Sequence, residues 1–136
     1  MYPFSGKYRT TNMSKDGYQF AAAHLIDKLM YEFETNYLSQ YTPCNYTNED
    51  DLAYSLAIVH VELIIIHPFR EGNGRLARLL ANLMALQAGK RFINYSPIDR
   101  TSQQKGFDEY IMAIHQGHCG DYKMMQKIFY KLLEAS

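Results

Sequence analysis

The stretch LAYSLAIVHVELIIIHPFREGNGRLAR, residues 52–78, places a long apolar run directly before a polar, glycine-rich turn. The run is apolar on nearly every face of a helix, which is typical of a helix at the centre of a domain. We expect this helix to end near His67, because the residue before Pro68 is pushed out of the α conformation. A second, mostly apolar helix is predicted at Arg75–Ala88, so the turn connects two core helices.

The rest of the chain predicts further helices and one hairpin. Apolar residues recur at helical spacing between 21 and 38, and Thr47-x-x-Asp50 resembles a capping box at a helix start. Asp16-Gly17 favours a hairpin tip, because both residue types tolerate positive φ. The predicted fold is all-α, with hairpin arms at Tyr8–Met13 and Tyr18–Phe20 and with helices at about 21–38, Thr47 to His67, 75–88, 99–116 and 121–134.

Composition limits the class of protein. The 136 residues are enough for one domain, and 47% of them are hydrophobic, as in folded proteins. Lys plus Arg and Asp plus Glu are 14 each, so the zero net charge argues against binding nucleic acid by charge. Cys44 and Cys119 are predicted to be unpaired thiols, and no secretory leader is visible. The apolar run is shorter than the ~20 residues that cross a bilayer, so we expect a soluble, cytoplasmic protein without membrane or direct nucleic-acid partners.

The turn at 67–75 is unusually polar for a connection between core helices. Gly72 and Gly74 allow the backbone to approach a ligand closely, and successive N–H groups in such a turn form an anion-binding nest. The nest opens into the start of the next helix, where free N–H groups favour a phosphate. Arg75 and Arg78 lie on one face of that helix, and guanidinium groups bind phosphate oxygens in pairs.

His67 and Glu71 complete the predicted site. Glu71 would repel a bare phosphate, and its position is explained if it holds a divalent cation that bridges phosphates. An ordinary histidine has a pKa of about 6.5, which suits His67 to act as a general base. The alternative to a functional site is a glycine-rich connection between two helices, with its arginines exposed to solvent. The residues alone favour a phosphate site with a base, and they leave open which phosphate is attacked.

The turn resembles the signature of the Fic (filamentation induced by cAMP) family, His-Pro-Phe-x-Asp/Glu-Gly-Asn-Gly-Arg-x-x-Arg. The matching positions are His67, Pro68, Phe69, Glu71, Gly72, Asn73, Gly74, Arg75 and Arg78. Gly6-Lys7-Tyr8-Arg9-Thr10 and Gly120-Asp121-Tyr122 are also similar to the family, so the resemblance covers nearly the whole chain. It implies a single Fic-type helical domain over 1–136, with a hairpin flap at about 10–20, a catalytic loop at 67–75, and without the N-terminal helices usual in the family.

The resemblance implies a protein adenylyltransferase, which transfers AMP from ATP to a Tyr, Thr or Ser hydroxyl of a target protein and releases pyrophosphate. By matching position, His67 would be the base and Glu71 would hold Mg²⁺ between the α- and β-phosphates. The remaining implied roles are an anion hole at Gly72, Asn73 and Gly74, and binding of the β/γ end by Arg75 and Arg78. The target would dock on the flap, Asn12–Phe20, by strand addition.

Other functions compete with this one. A kinase of the related Doc type is disfavoured, because that group typically has Lys where this chain has Gly74. Removal of AMP is disfavoured too, because in the family it tends to use an inhibitory Glu that this chain lacks. A non-catalytic nucleotide-binding module would have no reason to keep both His67 and Glu71.

The sequence also bears on how the activity would be inhibited and on the roles of the other histidines. Many relatives carry an inhibitory Ser/Thr-x-x-x-Glu helix, and Thr47 with Asp51 is the nearest approach to it here. We therefore expect either that inhibition is absent or that a separate small antitoxin protein acts as the inhibitor, as in toxin–antitoxin pairs. His115-x-x-His118-Cys119 lacks a recognisable fourth metal ligand and is interpreted as a helix end. His60 is interpreted as a core histidine.

Overall fold

The computed structural model describes residues 3–46 and 48–136. The expected all-α fold with a small hairpin is confirmed. The strands are β1 (Ser14–Lys15) and β2 (Tyr18–Gln19), and the helices are α1 (Ile26–Phe33), α2 (Ser39–Tyr41), α3 (Glu49–Ile66), α4 (Asn73–Gln87), α5 (Gln104–His118) and α6 (Lys123–Glu134). Short 3₁₀ turns lie at Ala23–Leu25 and Ser96–Ile98, and a π turn at Glu34–Leu38.

Helix α3 forms the centre of the domain, as its apolar pattern predicts. It is buried along most of its length and packs against α1, α4, α5 and α6. The cap predicted at Thr47 lies outside the described residues. Asn48 caps the helix, and its Oδ1 accepts a hydrogen bond from the Asp50 N–H at 2.7 Å. Three acidic residues in the first turn favour the positive end of the helix dipole.

None of the helices in the described part of the chain is both long and apolar enough to span a membrane.

The boundaries of the other helices differ from the prediction. The helix predicted at 21–38 begins with a 3₁₀ turn, passes through the π turn and ends with α2 at Tyr41. Helix α4 begins two residues before the predicted Arg75. Helix α5 begins at Gln104 rather than at 99, because the Asp99 carboxylate accepts bonds from the Thr101 N–H at 3.1 Å and the Ser102 hydroxyl at 2.9 Å. Such side-chain bonds to nearby groups stabilise a turn in competition with helix.

The hairpin has its tip where the sequence predicts it, but one arm is wrong. Ser14 pairs with Gln19, and Asp16 and Gly17 have φ of 51° and 80°, as a two-residue hairpin turn requires. The first strand is only β1, and the stretch predicted as its arm, Tyr8–Met13, is not a strand. That stretch runs back to the end of α3 instead, and its contacts there position the hairpin beside the glycine-rich turn.

Candidate active site

His67 stands one residue beyond the end of α3, in a backbone conformation that is rare for side chains other than glycine. Its φ is 50° and its ψ is 61°, and its N–H donates to the Leu63 carbonyl at 3.0 Å. Such a left-handed residue costs on the order of 1 kcal/mol and persists only where the surroundings hold it. Here Arg9 holds it: the Arg9 Nε donates to the His67 carbonyl at 2.6 Å, and the Arg9 N–H donates to the Pro68 carbonyl at 2.9 Å.

Asn73 closes the glycine-rich turn on itself. Its Oδ1 accepts from the Phe69 N–H at 2.8 Å, and its Nδ2 donates to the Phe69 carbonyl at 2.7 Å. The Asn73 residue is only 2% exposed, and both bonds to Phe69 are partly buried. Gly72, with φ of 84°, is the N-cap of α4, and Leu76 makes the first helical bond to its carbonyl at 2.9 Å. The N–H groups of residues 73–75 precede that bond and have no acceptor within the helix.

The two arginines of α4 lie over the two glycines of the turn. The Arg75 Nη2 is 3.4 Å from the point where a Cβ on Gly72 would sit, and the Arg78 Nη1 is 3.2 Å from the corresponding point on Gly74. Among residues 3–46 and 48–136, neither guanidinium forms a salt bridge with a carboxylate. The start of α4 therefore carries free N–H groups beside two cations without acidic partners, which is an arrangement that binds phosphate.

A cavity of about 260 Å³ lies between the turn, α5 and the hairpin. The lining residues are His67 and Gly74 of the turn, Arg78 of α4, Ile64 of α3, Phe107, Tyr110, Ile111, Ile114 and His115 of α5, and Lys15, Asp16, Tyr18 and Phe20 of the hairpin. The other predicted site residues, Glu71, Gly72, Asn73 and Arg75, are outside this lining. Glu71 is exposed, and the side chain of Asn73 is committed to Phe69, so the N–H of Asn73 is the part that can meet an anion.

The imidazole of His67 is neutral at physiological pH. Burial lowers its pKa to about 4, and the positive charges of Arg9 and Lys15 act in the same direction. The Ile64 carbonyl opposes that shift, yet within the described residues the buried Nδ1 of His67 has no hydrogen-bond partner. The ring of Phe20 stacks on the imidazole, with centroids 3.7 Å apart and planes 8° apart. The histidine is thus an unprotonated base held between the flap and the turn.

This pKa predicts an unusual pH profile for any reaction in which His67 accepts a proton. The pH dependence of kcat/KM reports the pKa values of the free enzyme, and His67 is unprotonated there well above a pKa of about 4. We therefore expect kcat/KM to stay level between about pH 5.5 and about pH 8 and to fall below that range. An inflection near pH 6.5 would contradict the prediction. Circular dichroism at each pH must accompany the assay. Between about pH 4 and 6.5 the unfolded chain takes up protons at His67 that the folded chain refuses, so stability falls as the pH is lowered.

The flap is anchored on α5 by one tyrosine. The Tyr18 hydroxyl is 2.5 Å from the Nδ1 of His118, and its ring lies 4.8 Å from that of His115. No group of three or more His, Cys, Asp or Glu residues in the described ranges is arranged to hold a metal ion. His115 and His118 are interpreted from the sequence as part of a helix end, and they lie in the last turn of α5, where both contact Tyr18 of the flap.

His60 lies beneath the cavity as a core histidine. It is 2% exposed, and its Nε2 is 2.6 Å from the Tyr110 hydroxyl, which belongs to a residue of the cavity wall. Burial lowers the pKa of His60 to about 4, with the Arg78 charge acting in the same direction, so the ring is neutral. The contact with Tyr110 fixes part of the wall opposite the turn.

Two cationic residues of this region were not predicted from the sequence to belong to the site. Arg9 reaches the backbone of the turn, and Lys15 reaches the cavity from the tip of the hairpin. The only signal for Arg9 was its place in the family-like stretch near the N-terminus, and Lys15 was marked only by the adjoining Asp-Gly pair.

Comparison with known families agrees with this geometry. Residues 1–85 match the model of the Fic/DOC family, and the matched region includes the whole glycine-rich turn. The chain belongs to the Fic/DOC family. Its curated relatives include "Protein adenylyltransferase fic-1" of Caenorhabditis elegans, 35% identical over 80 residues, which are 59% of this chain and 14% of the relative. "Protein adenylyltransferase Fic" of Nematostella vectensis is 29% identical over 122 residues, 88% of this chain and 25% of the relative.

Solved Fic structures share the fold. BepC of Bartonella tribocorum, crystallised with bound AMPPNP, superposes with a TM-score of 0.72 at 25% identity over 91% of this chain and 56% of BepC. Fic-1 of Caenorhabditis elegans gives 0.66 at 25% identity, over 96% of this chain and 34% of that structure. The Fic/DOC chain described here therefore spans only a minor part of its curated relatives.

Proposed function

We propose that this protein is a Fic-type protein adenylyltransferase, which transfers AMP from ATP to a hydroxyl group of a target protein. The observation that carries the proposal is a neutral imidazole, His67, in one cavity with the guanidinium of Arg78 of α4, which has no acidic partner among the described residues. The printed names of the curated relatives and the AMPPNP bound to BepC support the choice of reaction and of nucleotide.

The proposed reaction is a single displacement at the α-phosphorus. His67 accepts the proton of the target hydroxyl, and the oxygen of that hydroxyl forms a bond to the α-phosphorus. The bond between the α-phosphorus and the oxygen bridging to the β-phosphate breaks, and pyrophosphate leaves with that electron pair. The N–H groups at residues 73–75 and the two arginines bind the phosphate oxygens and stabilise the charge that builds up on them.

The apolar side of the cavity is suited to the base of the nucleotide. Phe107, Ile111 and Ile114 of α5 face the space opposite Arg78, and they offer an apolar wall of the kind that binds a flat aromatic ring. With the phosphates at the start of α4, the nucleotide would extend from the turn to α5.

Glu71 fits the magnesium ion that the family implies. It is a single exposed carboxylate at the edge of the turn, and Mg²⁺ is usually held by one or two carboxylates, with phosphate oxygens and water completing its shell. When bound, the ion would neutralise charge on the phosphates and on the leaving pyrophosphate.

The flap is the proposed docking site for the target protein. Asn12–Phe20 contains β1 and β2, a two-stranded sheet whose outer edges are unpaired within the described residues. An extended segment of the target can add to such an edge through main-chain bonds, which select for backbone more than for sequence. Phe20, which stacks on His67, and Lys15, which lines the same cavity, would then lie beside the docked segment.

ATP labelled at different phosphates tests the reaction. Incubation of the protein and Mg²⁺ with a cell lysate should transfer label from the α-phosphate into protein, and this transfer should be lost with His67→Ala. Label from the γ-phosphate should not exceed that in the lysate alone. An excess of γ-phosphate label that depends on His67 would replace the proposal with kinase chemistry, and nucleotide binding without transfer would indicate a binding module. Co-expression with the protein of a neighbouring reading frame tests the proposed antitoxin, because an unchanged transfer rate with each neighbour would contradict it.

Arg78→Ala is expected to weaken ATP binding by about ten- to hundredfold, because charge-assisted bonds to a phosphate contribute ~1.5–3 kcal/mol. Transfer at saturating ATP should survive in part, because His67 remains. Isothermal titration with AMPPNP measures the affinity. Arg91→Ala is the matched control, since it removes an exposed arginine beyond the far end of α4. Equal affinities in the two variants would contradict a role for Arg78 in nucleotide binding.

A further inference from the structure

Arg9 is a buried arginine whose hydrogen bonds to the described residues all go to main-chain carbonyl groups. It is 5% exposed and forms no salt bridge within the described residues. Its Nε donates to the His67 carbonyl at 2.6 Å, and its Nη2 donates to the Ile66 carbonyl at 3.1 Å. In addition, its Nη1 donates to the Thr11 carbonyl at 2.9 Å, and its Nη2 donates to the Ala21 carbonyl at 2.5 Å.

These four acceptors belong to two different parts of the site. Ile66 and His67 end α3, where helix carbonyls lack partners and a positive charge is favourable. Thr11 and Ala21 lie on either side of the hairpin, before β1 and after β2. The guanidinium of Arg9 therefore links the two ends of the flap to the backbone of His67. The Ala21 N–H adds a bond to the Ile65 carbonyl at 3.1 Å, on the same turn of α3.

We propose that Arg9 is a positioning residue that couples the flap to His67, so that the docked hydroxyl and the base keep one relative geometry. The inference rests on the adenylyltransferase function proposed above and deepens it. Arg9 touches neither the cavity nor the phosphate-binding start of α4. Its replacement should therefore slow transfer without weakening nucleotide binding, which is the opposite of the effect expected for Arg78→Ala.

The coupling also has a signature in the unmodified protein that requires no target. The Ala21 N–H bonds across to α3, and the His67 N–H bonds within the end of α3. If Arg9 makes these segments one cooperative unit, the protection factors of the two amides against deuterium exchange should agree within about threefold. The Phe20 N–H, which bonds to Met13 inside the hairpin at 3.1 Å, should exchange faster. Protection of Ala21 and His67 that differs by more than about tenfold would overturn the coupling.

Two substitutions test the consequence for transfer. Arg9→Lys keeps the charge beside the end of α3 but loses the planar fork, and Arg9→Met loses both. Each should lower the transfer of α-phosphate label into lysate protein by about tenfold or more, since small displacements of reacting groups cost about that much or more. The dissociation constant for AMPPNP should stay within about twofold. Arg91→Met is the matched control, because it makes the same change at an exposed arginine beyond the far end of α4.

The outcomes separate this inference from the function on which it rests. Wild-type transfer in Arg9→Lys, or a parallel loss of AMPPNP affinity, would overturn the positioning role. If Arg9→Met does not fold, Arg9→Lys and the exchange measurement still decide the question. If the unmodified protein transfers no label, the proposed function fails, whereas the exchange of the Ala21 and His67 amides still tests the coupling.

Discussion

His67→Ala is expected to lower AMP transfer by about 10²- to 10⁴-fold, the range that a positioned general base contributes. The variant removes the neutral imidazole at the end of α3, and no other histidine lines the cavity except His115, which belongs to α5. Nucleotide binding should persist, because the start of α4 and its arginines are unchanged. The expected result is therefore a loss of turnover at nearly constant affinity for ATP.

The measurement combines labelled-ATP transfer with isothermal titration of AMPPNP. His24→Ala is a suitable control, because His24 is an exposed histidine at the start of the first helical segment. The variant also frees one face of Phe20, whose ring stacks on the imidazole, so flap order should be followed by hydrogen exchange. Full transfer in His67→Ala, with the fold intact, would show that another group accepts the proton.

The centre of the fold could be predicted from the sequence because its signals are local. The apolar run of α3 fixes a buried helix, Pro68 ends it, and Asp16-Gly17 sets the hairpin tip. The exact starts of α5 and α6 could not be predicted, because each is set by hydrogen bonds that the side chain of one aspartate accepts. The Asp121 Oδ1, for example, accepts from the Lys123 N–H at 3.1 Å and delays the last helix to that residue.

The site was predictable in its composition but not in its division of labour. The spacing of His67, Gly74 and Arg78 in the sequence predicts that they lie close together where the turn meets α4, and in the structure all three line one cavity. The bond from Arg9 to His67 joins residues 58 positions apart, and a bond to a main-chain carbonyl requires no particular residue at the acceptor. Such a contact leaves no pattern in a single sequence, which is why Arg9 was not assigned to the site.

Asn73 shows the same limit and gives a second strong prediction. The family resemblance implies that it belongs to an anion hole, while its side chain makes both of its bonds to Phe69. Asn73→Ala leaves the Phe69 N–H and carbonyl without these partners in a partly buried place, at about 1–2 kcal/mol each. We expect the free energy of unfolding to fall by about 2–4 kcal/mol and transfer to be lost as the turn opens. Urea unfolding measures the change.

The stability measurement distinguishes the two roles of Asn73. A side chain that only bound phosphate would, when removed, weaken ATP binding and leave the free energy of unfolding nearly unchanged. Asn94→Ala provides the control, because the Asn94 Oδ1 accepts an exposed bond from the Ser96 N–H at 3.0 Å, and the main-chain bond of Asn94 to Ser136 is kept. Asn73→Asp sharpens the test: its carboxylate can still accept from the Phe69 N–H but faces the Phe69 carbonyl with a second acceptor. It should lose stability and, by placing a negative charge beside the N–H groups of α4, also weaken ATP binding.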